Sequence, residues 1–195
     1  PGIRNRIAAA KITAEKLDHA GRVLAVMGEF GADTARYDDG HAWAARVDRD
    51  ADLGAARRGD DMRLSVFLYP VQGYVDAVVL NVLMGIATAV QLDEMKRVSY
   101  APLADTFRAI APREARHVEL GLNGLRQIIA TDEGRAEAVA AIQYWLPKVE
   151  ATFGQAASKR FETLARFGLR HTENETLRQL WAQRVRDLLL PMGLA

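Results

Sequence analysis

Apolar residues return every three or four positions over most of this chain, and apolar–polar alternation typical of a β-strand never persists beyond four or five residues. A spacing of three and four places side chains on one face of an α-helix. We therefore predict an all-α protein, in which long helices joined by short connections form a bundle. A length of 195 residues suits a single domain, residues 1–195.

Glycine, proline and capping residues divide the pattern into helices. The predicted helices cover residues 12–30, 71–97, 100–130 and 132–152, a segment between Gly154 and Gly168, and residues 173–190. Ser99 and Thr131 are candidate N-caps. The Asp- and Arg-rich segment 32–63 is predicted to be a loop with one short helix near 51–57. The helix at 71–97 is apolar all round at its centre, which predicts a place inside the bundle. Its apolar run is too short to cross a membrane, so we expect no membrane partner.

Composition excludes several classes of function. The 26 Lys and Arg residues nearly balance the 25 Asp and Glu residues, giving a net charge of +1, which argues against nucleic acid as a partner. The chain has no cysteine, which excludes a disulfide scaffold, a thiolate zinc site, an iron–sulfur cluster and a cysteine nucleophile. The absence of cysteine is compatible with a reducing compartment, and we expect a cytoplasmic location.

Glu114 and His117 occupy core positions in the pattern of the helix at 100–130. A Glu-x-x-His pair at i and i+3 places a carboxylate and an imidazole one turn apart, so both can bind the same metal ion. A carboxylate at an apolar position also needs a metal, a cation or a proton as compensation. The neighbouring Arg113 and Arg116 support the alternative of an exposed polar pair. Spacing alone leaves both interpretations open.

His19 lies on the apolar stripe of the first helix, with Lys16 one turn earlier in register and Glu15 slightly to one side. A lone buried histidine is more often a hydrogen-bonded core residue than a metal ligand. Together with the Glu114 pair, however, it predicts a second polar group facing the same interior.

The segment SYAPLADTFRAIAPREARHVELG, residues 99–121, resembles the phenylacetyl-CoA epoxidase family of multicomponent bacterial oxygenases, and its catalytic subunit in particular. There the same Ser-Tyr-x-Pro sequence precedes a Glu-x-x-His pair. The resemblance extends to LYP at 68–70, HAGRVLAVMGEFGAD at 19–33 and ENETLRQLW at 173–181. It implies a ferritin-like four-helix bundle with additional C-terminal helices, and a chain that lacks the family's N-terminal helix.

The resemblance also implies a set of metal ligands. The family's catalytic subunit uses two Glu-x-x-His pairs and one carboxylate from each of two other helices. Glu114 and His117 match the second pair, and His19 matches the histidine of the first pair. Lys16 stands where the first pair has its glutamate, and Gly85 stands where the central helix has a carboxylate. The remaining carboxylate is expected before Pro1.

Two hypotheses follow from this incomplete set. In one, Lys16 pairs with Glu114 and replaces the charge of the metal, which makes the chain a non-catalytic structural subunit of an oxygenase complex. In the other, a π-bulge turns Glu15 inward, so that Glu15, His19, Glu114 and His117 bind non-haem iron, as one ion or a di-iron pair. The chain is then a monooxygenase-like oxidoreductase of phenylacetate catabolism.

The second hypothesis also implies partners. By resemblance, the substrate is an aromatic or other acyl-CoA, the electrons come from a separate reductase, and the chain works as an oligomer with a partner subunit. Lys96, Arg97, Arg113 and Arg116 are candidates for contact with CoA phosphates, and the alternative is a solvated basic face.

Overall fold

The computed structural model describes residues 2–38, 46–54, 63–158 and 160–194, without the side chains of Arg36 and Asp38. The helices are α1 (Ile3–Gly28), α2 (Ala35–Asp38), α3 (Gly73–Met95), α4 (Ala101–Ile128), α5 (Asp132–Glu150), α6 (Phe161–Arg166) and α7 (Asn174–Leu189), with short 3₁₀ turns at Ser65–Leu68, Ala151–Phe153 and Leu190–Met192. These residues contain no strand. The predicted all-α bundle is therefore confirmed, with α6 and α7 as its additional C-terminal helices.

Helix α3 forms the centre of the bundle, as its apolar composition predicted. Helices α4, α5 and α7 pack around it, whereas α1 packs mainly on α4. The core residues include Val79, Val82, Leu83, Ile86 and Val90 of α3, Leu122 and Leu125 of α4, Trp145 of α5 and Trp181 of α7. The prediction that this segment is too short to cross a membrane is wrong by length and composition, since α3 would pass for a membrane-spanning helix. More than half of its most apolar stretch, however, is buried inside the bundle.

Two details of the predicted boundaries need correction. Ser99 is not the N-cap of α4, because Tyr100 holds that position and the Ser99 hydroxyl instead donates to the carbonyl oxygen of Phe167 at 2.5 Å. The segment predicted as loop contains the short helix α2. Residues 51–54 are not helical, and the rest of the helix expected near 51–57 lies outside the described residues. The Thr131 cap is confirmed, since its hydroxyl accepts a hydrogen bond from the Gly134 amide at 3.1 Å.

A buried carboxylate joins the end of α3 to the connection between α6 and α7. Glu94 accepts hydrogen bonds from the backbone amides of His171 and Thr172, the latter at 3.0 Å, and from the Thr172 hydroxyl at 2.9 Å. Arg97 adds a charged hydrogen bond at 2.6 Å. Burial alone would raise the pKa of Glu94, but these four donors outweigh it and lower that pKa below its ordinary value. The carboxylate is therefore held ionised at neutral pH.

The backbones of α3 and α4 approach closely where Gly85 faces Val118. A Cβ atom at Gly85 would lie 2.7 Å from the Val118 Cγ2 atom, which is closer than ordinary contact allows. Valine is also stiff about its first side-chain torsion angle, so it cannot easily turn away. Gly85 therefore has no space for a side chain unless the two helices move apart.

We expect Gly85→Ala to lower the free energy of unfolding by about 1 kcal/mol, measured by urea denaturation. Overpacking costs roughly 1–3 kcal/mol, and the better helix propensity of alanine returns about 1 kcal/mol of it. Gly21→Ala is the matched control, because a Cβ atom there meets nothing within 4 Å. The control should be neutral or stabilising. Equal stabilisation by both substitutions would contradict the close contact.

Candidate functional site

The candidate site residues predicted from the sequence lie together at the seam, the line along which α1 packs against α4. Glu114 and His117 of α4 are 3% and 1% exposed, and His19 of α1 is 7% exposed. The core positions predicted for Glu114 and His117 on α4 are therefore confirmed, and the alternative of an exposed pair is wrong. His19 lies on the face of α1 that is directed at α4, so the two helices bring their polar groups together in the interior.

Glu114 is the centre of the site. Its Oε2 atom accepts a hydrogen bond from the Lys16 ammonium at 2.7 Å, and its Oε1 atom lies 2.9 Å from His19 Nδ1. Burial by itself would raise the pKa of Glu114, but the hydrogen bond and charge of Lys16 and the contact with His19 lower it below its ordinary value. The carboxylate is thus stabilised in its charged form by a lysine of the same chain.

Glu15 lies on the other side of the site. Its Oε2 atom is 2.6 Å from His117 Nε2, and its Oε1 atom accepts a hydrogen bond from Arg116. The His117 contact, followed by that of Arg116, lowers the pKa of Glu15 to about 2. Helix α1 is α-helical without interruption from Ile3 to Gly28. The expected π-bulge is therefore wrong, since α1 has none between Ile3 and Gly28 and Glu15 reaches His117 from a regular helix.

The two histidines complete the site. Their rings are roughly parallel, with an interplanar angle of 27° and centroids 6.0 Å apart. His117 Nδ1 lies 3.6 Å from Glu114 Oε2, beyond hydrogen-bonding distance. His117 Nδ1 and His19 Nε2 are both buried without a hydrogen-bond partner. A buried polar atom without a partner costs free energy, so these nitrogens are the two unsatisfied groups of the site.

The residues present do not fit a di-iron centre. No group of three or more His, Asp or Glu side chains in the described part of the chain has the geometry of a metal site. The Lys16 ammonium occupies the oxygen of Glu114 that faces His117. The contact of Gly85 with Val118 also fills the space for a carboxylate on α3. Of the four carboxylate positions that the family resemblance implies, one is therefore held by the Lys16 cation and another, at Gly85, is closed by packing.

Further ion pairs, which the helical pattern of the sequence does not predict, follow the same seam. Arg113 of α4 donates to Asp18 of α1 at 2.8 Å, next to the Arg116–Glu15 pair. The sequence does contain a signal for these pairs, since the acidic residues Glu15 and Asp18 lie beside the inner stripe of α1 and the basic residues Arg113 and Arg116 lie beside the stripe of α4. Lys96 and Arg97 contact Asp93 and Glu94. The four basic residues proposed for contact with CoA phosphates, namely Lys96, Arg97, Arg113 and Arg116, are thus each paired with a carboxylate.

A cavity of about 260 Å³ lies beside the site, between α1, α3 and α4. The Asn81 side chain, which lines it, donates to the His117 carbonyl oxygen at 3.2 Å. The rest of the lining is mainly apolar and includes Ala8, Ala9, Ile12, Ala77, Val78 and Leu120. A cavity of this size and character suits a small apolar or aromatic group.

Comparison with protein-family models gives a match over residues 1–195, the whole chain, to the model described as phenylacetic acid catabolic protein. Comparison with curated proteins gives no match.

Proposed function

The chain belongs to the phenylacetic acid catabolic protein family, and from that membership we propose that it is a non-catalytic structural subunit of an oxygenase complex. In this role the interior site is a set of ion pairs that stabilises the α1–α4 seam. The partner is then a metal-bearing subunit of the same complex. We place this subunit and its complex in the cytoplasm, in agreement with a chain that lacks cysteine.

The observation that carries the proposal is the 2.7 Å contact between Lys16 and Glu114. A ligand carboxylate must be free to bind its metal, and a lysine ammonium on the same oxygen competes for it. Lys16 supplies one positive charge in the place where an iron centre would supply several. The site is thus nearly neutralised by the protein's own residues, which removes the electrostatic need for a metal.

A second candidate function is favoured by the unpartnered nitrogens of His19 and His117. In it the chain is a monooxygenase-like subunit, in which Glu15, His19, Glu114 and His117, which do not form a metal site in their present arrangement, would hold a single non-haem iron once Lys16 has left Glu114. The iron, when bound, would supply O₂-dependent oxidation of an acyl-CoA, with electrons from a separate reductase. The apolar cavity beside His117 would receive the acyl group. This requires Lys16 to leave Glu114, and its 44% exposed side chain has a path to solvent.

Metal analysis separates the two functions. Protein purified from iron-supplied cells, and then exposed to Fe(II) without oxygen, is expected to retain less than about a tenth of an equivalent of iron. Lys16→Glu is the informative variant, because it creates a Glu-x-x-His pair and removes the competing ammonium. We expect this variant to retain more iron than the natural chain.

The outcomes are distinct. Close to one equivalent of iron in the natural chain would overturn the structural role and support the oxygenase. An iron-free natural chain beside an iron-binding Lys16→Glu variant would identify Lys16 as the residue that excludes the metal. Circular dichroism of both proteins checks that the helical fold is unchanged.

A further inference from the structure

Helices α5 and α7 both pack on α3 and leave between them a cavity of about 490 Å³, which we name the α5–α7 trough. The two helices run in opposite directions and are connected at both ends. At one end Arg135, at the start of α5, donates to the Met192 carbonyl oxygen at 2.8 Å. At the other end the centroids of the Phe153 and Trp181 rings lie 5.7 Å apart. The trough therefore has a fixed length.

The walls of the trough are mainly aliphatic, and they include Val139, Ile142 and Leu146 of α5 and, opposite them, Val185, Leu189 and Leu194. The lining of α5 extends from residue 139 to residue 150, which at 1.5 Å per residue is roughly 16 Å. Small-molecule sites have volumes of about 300–1,000 Å³ and combine apolar walls with a few polar groups. The size and shape of the trough thus suit an extended aliphatic chain.

Arg186 is the cationic residue of the lining. Its guanidinium donates to the neutral Gln183 side chain at 3.2 Å, and it forms no ion pair with a carboxylate among the residues that the structure describes. Arg178 and Arg184 of the same helix, by contrast, are each paired with a carboxylate. Arg186 therefore retains donors for an acidic ligand in the trough.

The other polar lining residues define where a negative charge is favourable. Gln143 of α5 is exposed, as is Arg186, and its amide supplies further N–H donors. Glu150, the acidic residue of the lining, lies seven residues after Gln143 and so about 10 Å further along α5. A carboxylate is thus attracted to Arg186 and Gln143 and repelled from the Glu150 end.

We propose that the α5–α7 trough binds an aliphatic carboxylic acid of medium chain length, with its chain between the two helices and its carboxylate on Arg186 and Gln143. Arginine binds carboxylates through charged hydrogen bonds that are often bidentate, and these are stronger than neutral ones. An amine would be repelled by Arg186. The inference goes beyond the proposed function and does not rest on it, because the candidate site lies between α1 and α4.

Isothermal titration calorimetry with octanoate tests the proposal, and the natural chain is expected to bind one molecule. Octanol, which has the same chain without the charge, should bind at least about tenfold more weakly. Arg186→Gln should weaken octanoate binding by a similar factor, since both changes remove the charged hydrogen bonds. Arg126→Gln is the matched control, because the exposed Arg126 of α4 also donates to a side-chain amide three residues earlier. The control should bind octanoate as the natural chain does.

A second variant fills the trough. Ala182 lines it one turn before Arg186, so the ring in Ala182→Phe takes the space beside the guanidinium and should weaken octanoate binding at least about tenfold. Circular dichroism checks the fold, and Lys16→Glu should bind octanoate unchanged, whatever its iron content.

Three results would overturn the proposal. One is the absence of octanoate binding to the natural chain. Another is equal affinity for octanoate and octanol, or an Arg186→Gln variant that binds octanoate as tightly as the natural chain. The third is an oligomer, seen by sedimentation equilibrium, that Ala182→Phe dissociates and octanoate does not, because another chain would then cover the trough.

Discussion

Replacement of Glu94 by alanine is expected to lower the free energy of unfolding by about 3 kcal/mol, the largest effect that the structure predicts. The substitution leaves two backbone amides, at His171 and Thr172, without their acceptor in a buried place, and it also removes the charged hydrogen bond from Arg97. Buried donors that lose their partners cost roughly 1–3 kcal/mol each, with partial recovery where water can enter. Urea denaturation measures the loss. Hydrogen exchange should show faster exchange at the amides of His171 and Thr172.

The exposed Glu119 of α4 provides the control, since Glu119→Ala should change stability by less than about 0.5 kcal/mol.

The contribution of Glu94 to stability depends on pH, and the direction of that dependence can be worked out. Because the pKa of Glu94 is lowered in the folded protein, its stabilising contribution is present above the unfolded pKa of about 4.3 and is lost as the pH falls through the folded value. The difference between the natural chain and Glu94→Ala should therefore shrink in acid. A constant difference would mean that the carboxylate is not the stabilising group.

Lys16→Met is expected to lower the free energy of unfolding at pH 7 by about 2 kcal/mol. The substitution retains the aliphatic part of the side chain and removes the cation from the buried carboxylate of Glu114. Loss of one partner from a fully buried ion pair costs roughly 3–5 kcal/mol, and the partial exposure of Lys16 reduces this value. The pKa of Glu114 should rise in the variant. The difference in stability should accordingly become smaller as the pH falls from 7 towards about 4.

A double-mutant cycle identifies the pair as the cause. Lys16→Met combined with Glu114→Gln should be less destabilised than the sum of the two single substitutions, because each single variant leaves one charge without its partner and the double variant leaves none. Lys96→Met is the matched control, since Lys96 pairs with Asp93 on the surface, where both side chains are about two-fifths exposed. Exposed pairs of this kind are worth less than about 1 kcal/mol. Additive effects at Lys16 and Glu114 would contradict the buried pair.

The helical periodicity was enough to predict most of the fold. The stripe on α4 correctly placed Glu114 and His117 inside, because core positions on a long helix recur at a fixed angle whatever surrounds them. Periodicity does not, however, predict where the helices begin and end. Helix α1 begins at Ile3, although its inner stripe was recognised only from residue 12. The sequence predicts Ser99 as a cap, but its hydroxyl donates to the carbonyl oxygen of Phe167, 68 residues away in sequence.

In the candidate site, too, the sequence predicts some features and only the packing of the helices decides the others. Sequence spacing and resemblance selected Glu15, Lys16, His19, Glu114 and His117, and all five side chains lie at one seam. The sequence left open whether Lys16 or Glu15 faces Glu114, since neighbouring residues on a helix differ by about 100° in direction and either could have faced inward. The contact of Glu15 with His117 and the pairing of Arg116 depend on how α1 and α4 are placed side by side. No property of either helix alone contains that information.

The amino-acid sequence by itself determined an all-helical chain, an apolar central helix and the few ionisable groups in the interior, because these follow from local periodicity and from the cost of burying charge. The tertiary structure alone decided which groups compensate one another. It directed Lys16 to Glu114 and closed Gly85 against Val118. Those outcomes depend on distances between residues far apart in the chain, which are set when the helices pack.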